Sequence, residues 1–233
     1  MKVATFVTFQ DAFLALNREV MAHGERGESR TGVTKCLHNL SYCVLQSCTY
    51  TFDRSDINRI DYEYAKTFFD FMMSGGTNAS QPFANYPQAS KFTTLKQGSN
   101  LPKNFNTFYG PRIVEQIPAV VKELQINKSS RRAVMHILRQ SDNVLLDADE
   151  SLEYPCTLDM CYFFEDDELS VQFNMRSQNA ATVMQLDMYV QARLLTFLAC
   201  SMAVDPGRVY SNIVNAHIFE RDFDYVEGLL SIA

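Results

Sequence analysis

The sequence has no surplus of positive charge: 21 Lys and Arg stand against 27 Asp and Glu, a net charge of -6. That balance gives no general attraction to nucleic acid or to anionic membranes. No polynucleotide substrate is therefore expected, although a local basic pocket for one phosphate is still allowed. The chain also lacks an apolar run of the roughly 18 residues that a membrane span needs. Met1 to Phe9, with one Lys and a short apolar stretch, is too brief for a secretory signal. The six cysteines show no close paired spacing, which argues against a disulfide framework or a zinc site, so no metal is expected. Internal repeats, low-complexity tracts and linkers are missing too. These absences leave a cytoplasmic enzyme or binding protein with free thiols. With 233 residues, 46% of them hydrophobic, the chain suits one domain (residues 1–233) with a substantial core.

What is present reads as helices mixed with strands. Thr8 caps a predicted helix running to about His23, with Phe9, Phe13, Leu16 and Val20 on one face. The polar, glycine-flanked stretch Gly24 to Gly32 reads as a loop. Lys35 to Phe52, rich in Cys, Val, Tyr and Thr, reads as strand. Tyr62 to Met73 reads as a second helix, stopped by Gly75 and Gly76. Asn78 to Asn106 has no strong period, and so long an irregular segment in a compact domain points to function. Val114 to Leu124 reads as a helix that Pro118 would kink. Ala133 to Leu138, Thr157 to Phe164 and Leu169 to Asn174 read as strands, the last two joined in a hairpin by Glu165 to Glu168. Thr182 to Ala203 is the longest helix; apolar nearly all round, it should be central. Val209 to Phe219 predicts a last strand region, with a short helix from Asp222. The expected class is α+β.

Cys156 follows Pro155, between a polar loop and a strand. A nucleophilic cysteine needs partial exposure and a cationic neighbour that favours the thiolate. Arg176-Ser177 ends the second hairpin strand, where the guanidinium can lie beside the loop carrying Cys156. Cys43, Cys48, Cys161 and Cys200 read instead as packed thiols. Arg30-Thr31-Gly32 lies in the glycine-flanked loop, and Arg131-Arg132 follows Ser129-Ser130 at a strand start. Guanidinium groups take phosphate in a bidentate fork. Arginines so placed in an acidic chain suggest a focused anion site; the alternative is that each simply faces water. His217, in the apolar run Ile213 to Phe219, reads as a satisfied core residue or a functional one. Asp187, between Leu186 and Met188 in the buried helix, must be paired or hydrogen-bonded, or its pKa rises. That makes it a site candidate.

Taken in order, Arg30-Thr31-Gly32, Tyr109-Gly110, Ser130-Arg131-Arg132, Pro155-Cys156, Arg176-Ser177, Asp187 and His217 resemble the pattern of thymidylate synthase and its relatives, the deoxycytidylate hydroxymethylases. The resemblance covers most of the chain, and Asn174-Met175-Arg176-Ser177 followed by the Asp187 helix is its strongest block. It implies a thymidylate synthase-like fold: a large mixed β-sheet with a long central helix, forming a homodimer back to back through the sheet. It implies that Cys156 adds to C6 of a pyrimidine nucleotide monophosphate, whose phosphate Arg30, Arg176 and Ser177 hold. Arg131 and Arg132 would reach the partner's phosphate, His217 would help hold the sugar, and Tyr109 would organise the base and its waters.

The base follows from Asp187 by the same resemblance. Uracil-using members carry Asn there, whereas cytosine presents a donor at its 4-amino group and a bare acceptor at N3. A carboxylate accepts from the amino group and, with one shared proton, satisfies N3. Cys156-Thr157 is similar to the hydroxymethylases' Cys-Thr pair. The implied reaction is C5 hydroxymethylation of dCMP, as in bacteriophages that replace cytosine in their DNA, with 5,10-methylenetetrahydrofolate as cofactor; a viral enzyme would work in the host cytoplasm. The short stretch after His217 and the absence of Trp imply an open site, where water rather than hydride captures an exocyclic methylene. Other readings are C5 methylation to 5-methyl-dCMP, a CMP- or dUMP-directed relative, and a catalytically degenerate nucleotide-binding protein. The chain departs from the pattern at several places. Phe68 stands where the family places a catalytic Glu, with Glu63 and Asp70 the nearest carboxylates. Asn179 replaces an Asp that orients folate, Val183 replaces a Gly, and Phe219 replaces the Tyr that shares the sugar hydroxyl with His217.

Overall fold

The computed structural model describes residues 4–29, 31–48, 50, 61–78, 82–86, 94–95, 102–104, 109–146 and 154–232. Ala4–Phe6 forms β1 and Phe9–His23 forms α1. The start of α1 carries a full capping box. The Thr8 hydroxyl accepts from the Asp11 N–H at 3.1 Å, and the Asp11 carboxylate accepts from the Thr8 N–H at 3.2 Å. Glu25–Ser29 is β2 and Gly32–Val44 is β3, paired antiparallel from Glu25 opposite Cys36 to Ser29 opposite Gly32. The expected loop at Gly24 to Gly32 is therefore mostly a strand. Its side chains stay largely exposed and the pairing is carried by backbone groups, which composition does not register. Phe52 lies outside the described residues.

Tyr62–Met73 forms α2, capped by Asp61, whose carboxylate accepts from the Tyr64 N–H at 3.0 Å. Gly75, at φ 70°, turns the chain away after it. Within Asn78 to Asn106, Thr94–Leu95 (β4) and Pro102–Asn104 (β5) pair antiparallel; most of the segment lies outside the described residues. Tyr109–Val114 is α3 and Ile117–Ile126 is α4. Pro118 does not kink a continuous helix. It sits in the first turn of α4, where its missing N–H would have had no intrahelical partner. Arg112 of α3 is buried and makes a two-pronged ion pair with Asp142, at 2.6 and 2.7 Å, which anchors α3 and the Tyr109 at its head.

Val134–His136 (β6), Thr157–Glu165 (β7) and Glu168–Met175 (β8) follow, then Gln178–Asn179 (β9), Met184–Met202 (α5), Pro206–Phe219 (β10) and Phe223–Ser231 (α6). The β7–β8 turn places Asp166 and Asp167 at φ 54° and 65°, a twist that suits a two-residue hairpin. One mixed eight-stranded sheet runs β1-β3-β10-β8-β7-β6, with β2 added on β3 and β9 on β10. β1 on β3 and β8 and β9 on β10 are parallel; the other pairs are antiparallel. Helix α5 packs on β8 and β10 and touches α1, α2 and α4, so the all-round apolar helix is central as expected. Large mixed sheet and long central helix together agree with the thymidylate synthase-like architecture. Among the described residues, no helix is long and apolar enough to cross a membrane.

Two irregularities in the sheet shape the site. β8 leaves β10 after Met175 pairs Ile213, and pairing resumes in β9 with Gln178 opposite Ala216. Arg176 and Ser177 are thereby freed from the ladder. In β10 the buried positions slip from Ile213 to Ala216, leaving Val214 52% exposed. The residue facing Val214 across β3 is Asn39, in the left-handed region at φ 58°. Asn tolerates that conformation better than most side chains.

Candidate active site

Cys156 occupies the bend that leads into β7. Its own N–H and that of Thr157 both donate to the Tyr109 hydroxyl, at 2.9 and 3.0 Å. One phenol oxygen thus fixes the backbone on either side of the Cys156 carbonyl carbon. From the opposite side, the freed Arg176 closes over the loop. Its N–H donates to the Cys156 carbonyl at 2.8 Å, its Nε to Pro155 O at 2.8 Å and its Nη2 to Tyr154 O at 2.9 Å. The same Nη2 lies 3.7 Å from Cys156 Sγ, and the guanidinium sits 5.0 Å over the Tyr154 ring. No described residue takes a hydrogen bond from Nη1. Burial pushes the Cys156 thiol above its ordinary pKa; Arg176 pulls it back, and Asp187 pushes it up again. The charge of Asp187 thus acts on this sulfur.

Asp187 stands in the first turn of α5, where Gln178 Nε2 donates to its Oδ2 at 2.7 Å. Burial lifts its carboxyl pKa to about 6, against the pull of that hydrogen bond. An unpaired buried carboxylate would cost far more, so Gln178 is what makes an acid tolerable here. Asn179, the next residue, accepts from the N–H groups of Ala181 and Thr182 at 3.2 Å each, forming the turn that launches α5. On β10, His217 Nδ1 lies 3.4 Å from Ser177 Oγ. Burial lowers the His217 pKa, a hydrogen bond with the Asn215 backbone raises it, and Arg176 lowers it further. The net fall leaves a neutral imidazole at pH 7, suited to hydrogen bonding rather than to charge. Phe219 packs edge-on against His217, with centroids 5.2 Å apart, and Arg221 covers Phe219 at 4.1 Å.

The thymidylate synthase family model matches residues 11–232. This chain belongs to the thymidylate synthase family. It is 27% identical over 134 residues to a protein of Methanococcoides burtonii named "Putative thymidylate synthase", covering 55% of this chain and 59% of that one. A Methanosarcina barkeri protein of the same name is 26% identical over 142 residues, covering 58% and 63%. The thymidylate synthase of Mycoplasma genitalium is 21% identical over 244 residues, covering 92% of this chain and 83% of its own. The matched stretch thus spans about three fifths of the first two relatives.

Of the residues singled out in this thymidylate synthase-family sequence, the structure brings together Cys156, Arg176 and Tyr109 by direct contact. Asp187 joins them through its field on the thiol, and Ser177, His217 and Phe219 form a second group linked through Arg176. Arg30 lies outside the described residues. Arg131 and Arg132 are exposed; Arg132 is spent on Glu123, at 2.9 Å, beside Ser130 on the same carboxylate. Glu63 and Asp70 are not part of the group. Both are exposed on α2, and Asp70 pairs with Lys66 at 2.8 Å on the outer surface. Phe68 instead packs against Tyr64 and Phe83. The expectation of packed thiols holds for Cys43, which is buried, and fails for Cys48 and Cys200, which are exposed; Cys161 is half-buried. Sequence reasoning missed Gln178 and Tyr154. For Gln178 a signal existed: a buried acid demands a donor, and an amide beside Arg176-Ser177 was available to supply one.

Proposed function

We propose that the protein hydroxymethylates C5 of dCMP, working as one catalytic domain in a homodimer. Family membership supports one-carbon transfer to a pyrimidine nucleotide; the choice of cytosine rests on one observation. A half-buried carboxylate, Asp187, with its pKa lifted to about 6, acts on the same sulfur that Arg176 approaches at 3.7 Å. A base with a donor at position 4 and an acceptor at N3 matches an acid that can ionise or hold a proton near neutral pH. In this reading Gln178 occupies one carboxylate oxygen and leaves the other for the 4-amino group.

Cys156 Sγ bonds to C6 after losing its proton, and the C5–C6 electron pair becomes the nucleophile at C5. Arg176 stabilises the thiolate, while its Nη1, Ser177 and Arg30 hold the phosphate. His217, neutral, hydrogen-bonds the sugar, with Phe219 as its wall. Tyr109 keeps the Cys156 backbone from yielding as the S–C6 bond forms. When bound, 5,10-methylenetetrahydrofolate supplies the one-carbon unit. The residues present fit it: with its Oδ1 taken by two backbone N–H groups, Asn179 would offer its amide nitrogen to the cofactor as a donor. Once C5 has lost its proton and the one-carbon unit has parted from its carrier, an exocyclic methylene is left at C5; water adds its hydroxyl there, and departure of Cys156 from C6 as the thiolate restores the C5–C6 double bond. In the dimer, the sheet face around Asn39, Ser41, Asn174, Asn212 and Val214 would meet its copy, and Arg131 and Arg132 would reach the partner's phosphate.

The test is incubation of the protein with methylenetetrahydrofolate and, in turn, dCMP, CMP and dUMP, read by product mass. The expected product is 5-hydroxymethyl-dCMP. A methyl product with dihydrofolate, or product from dUMP alone, overturns the respective half of the reading. Nucleotide binding without release of tritium from [5-³H]dCMP would mark a protein that binds and does no chemistry.

A further inference from the structure

Three phenols are gathered within the field of Asp187: Tyr42 from β3, Tyr64 from α2 and Tyr109 from α3. Cys156 is the fourth titratable group that this carboxylate acts on. Tyr109 is committed to the backbone of Cys156 and Thr157. Tyr64 differs. Its side chain is 6% exposed, and its hydroxyl is buried with no hydrogen-bond partner among the described residues.

An orphaned buried hydroxyl costs free energy, so its presence calls for a partner that no described residue supplies. Loose packing does not account for it. The Tyr64 N–H is pinned by the cap at Asp61, and its ring is held by Phe68, Phe83 and Tyr86 at centroid distances of 6.1, 5.9 and 5.4 Å. Burial, and next the charge of Asp187, push the phenol's pKa up, so it is a neutral donor throughout the working pH range. A neutral donor on α2 and a carboxylate on α5, carried by two helices in contact, can together meet a ligand that has both donors and acceptors.

We infer that Tyr64 is a further ligand-binding residue of this site, its buried hydroxyl, on the helix α2 that touches the Asp187 helix α5, left to hydrogen-bond the bound pyrimidine nucleotide, directly or through one water. The inference rests on the proposed nucleotide function and adds a residue that the sequence pattern did not single out.

Tyr64→Phe separates this role from a structural one, because it removes only an oxygen that bonds to none of the described residues. Titration calorimetry with dCMP should show affinity lower by about three- to ten-fold, the worth of one hydrogen bond. Thermal unfolding of the free variant should be unchanged or raised. Unchanged dCMP affinity overturns the inference, as does a drop of several degrees in the free variant's unfolding temperature, which would reveal a structural partner. The wild-type protein serves as the control on the underlying reading. If it releases tritium from [5-³H]dCMP while Tyr64→Phe binds dCMP normally, only the Tyr64 assignment falls. If the wild type neither binds dCMP nor releases tritium, the nucleotide function falls with it.

Discussion

Asp187 should make the wild-type protein less stable than its amide variant at neutral pH. The carboxyl titrates at about 6 in the folded protein against 3.8 ordinarily, so ionising it there costs about 3 kcal/mol more than in the unfolded chain. The sign follows from proton counting. Below about pH 4 the carboxyl is protonated in both states and contributes nothing. Between about pH 4 and pH 6 the unfolded chain loses the proton while the folded one keeps it, so stability falls as pH rises. Above about pH 6 the penalty is complete. Asp187→Asn keeps an oxygen to accept from Gln178 and carries no charge, but its amide nitrogen needs a partner of its own, at a cost of about 1 kcal/mol or more. The variant should therefore be more stable than wild type by about 1–2 kcal/mol near pH 7.5, and that advantage should vanish or reverse near pH 4. Urea unfolding at the two pH values measures it, and the change in the gap matters more than either absolute value. A gap that is the same at both pH values would refute the claim that the fold raises the Asp187 pKa. The same variant should shift nucleotide preference from dCMP toward dUMP by about ten-fold or more, since exchanging a carboxylate for an amide swaps an acceptor for a donor at the base edge. Unchanged selectivity would detach Asp187 from base recognition while leaving the stability argument intact.

Other perturbations probe different parts of the arrangement. Cys156→Ala should abolish tritium release from [5-³H]dCMP, and residual release above background would place the nucleophile elsewhere. Arg176→Lys removes the two-pronged grip on the Cys156 loop; alkylation of Cys156 by iodoacetamide near neutral pH should slow several-fold, and an unchanged rate would mean the guanidinium does not tune the thiol. Arg112→Ala strands the buried Asp142 carboxylate and should cost about 3–5 kcal/mol in denaturant unfolding; a loss under about 1 kcal/mol would show that the pair does not hold α3. Glu63→Gln and Asp70→Asn, both on the exposed side of α2, should leave turnover within about two-fold of wild type, a range typical of silent surface changes. A large loss in either would show that α2 presents a different face to the substrate.

Much of the fold could be read from the sequence because its determinants are local. The α1 cap needs only Thr8 and Asp11, the β7–β8 turn only four consecutive acidic residues, and α5 only an apolar run that no surface helix could carry. The strand β2 was hidden because its pairing uses backbone atoms, which every residue type possesses. The exposure of Cys48 and Cys200 was hidden because a thiol's burial is decided by elements distant in sequence. In the site, Cys156, Arg176 and Asp187 could each be suspected, yet what makes them a site is non-local: Tyr109 reaches Cys156 across 47 residues and Arg176 reaches it across 20. His217 shows the limit most clearly. Had the two-residue period of β10 continued from buried Val209, Ser211 and Ile213, His217 would share their buried face and read as a core residue. The slip at Val214, opposite the left-handed Asn39, instead buries Ala216 and Ile218 and leaves His217 half-buried beside Ser177. A conformational preference on one strand thus sets the role of a side chain on its neighbour, and no period within β10 alone could have carried that information.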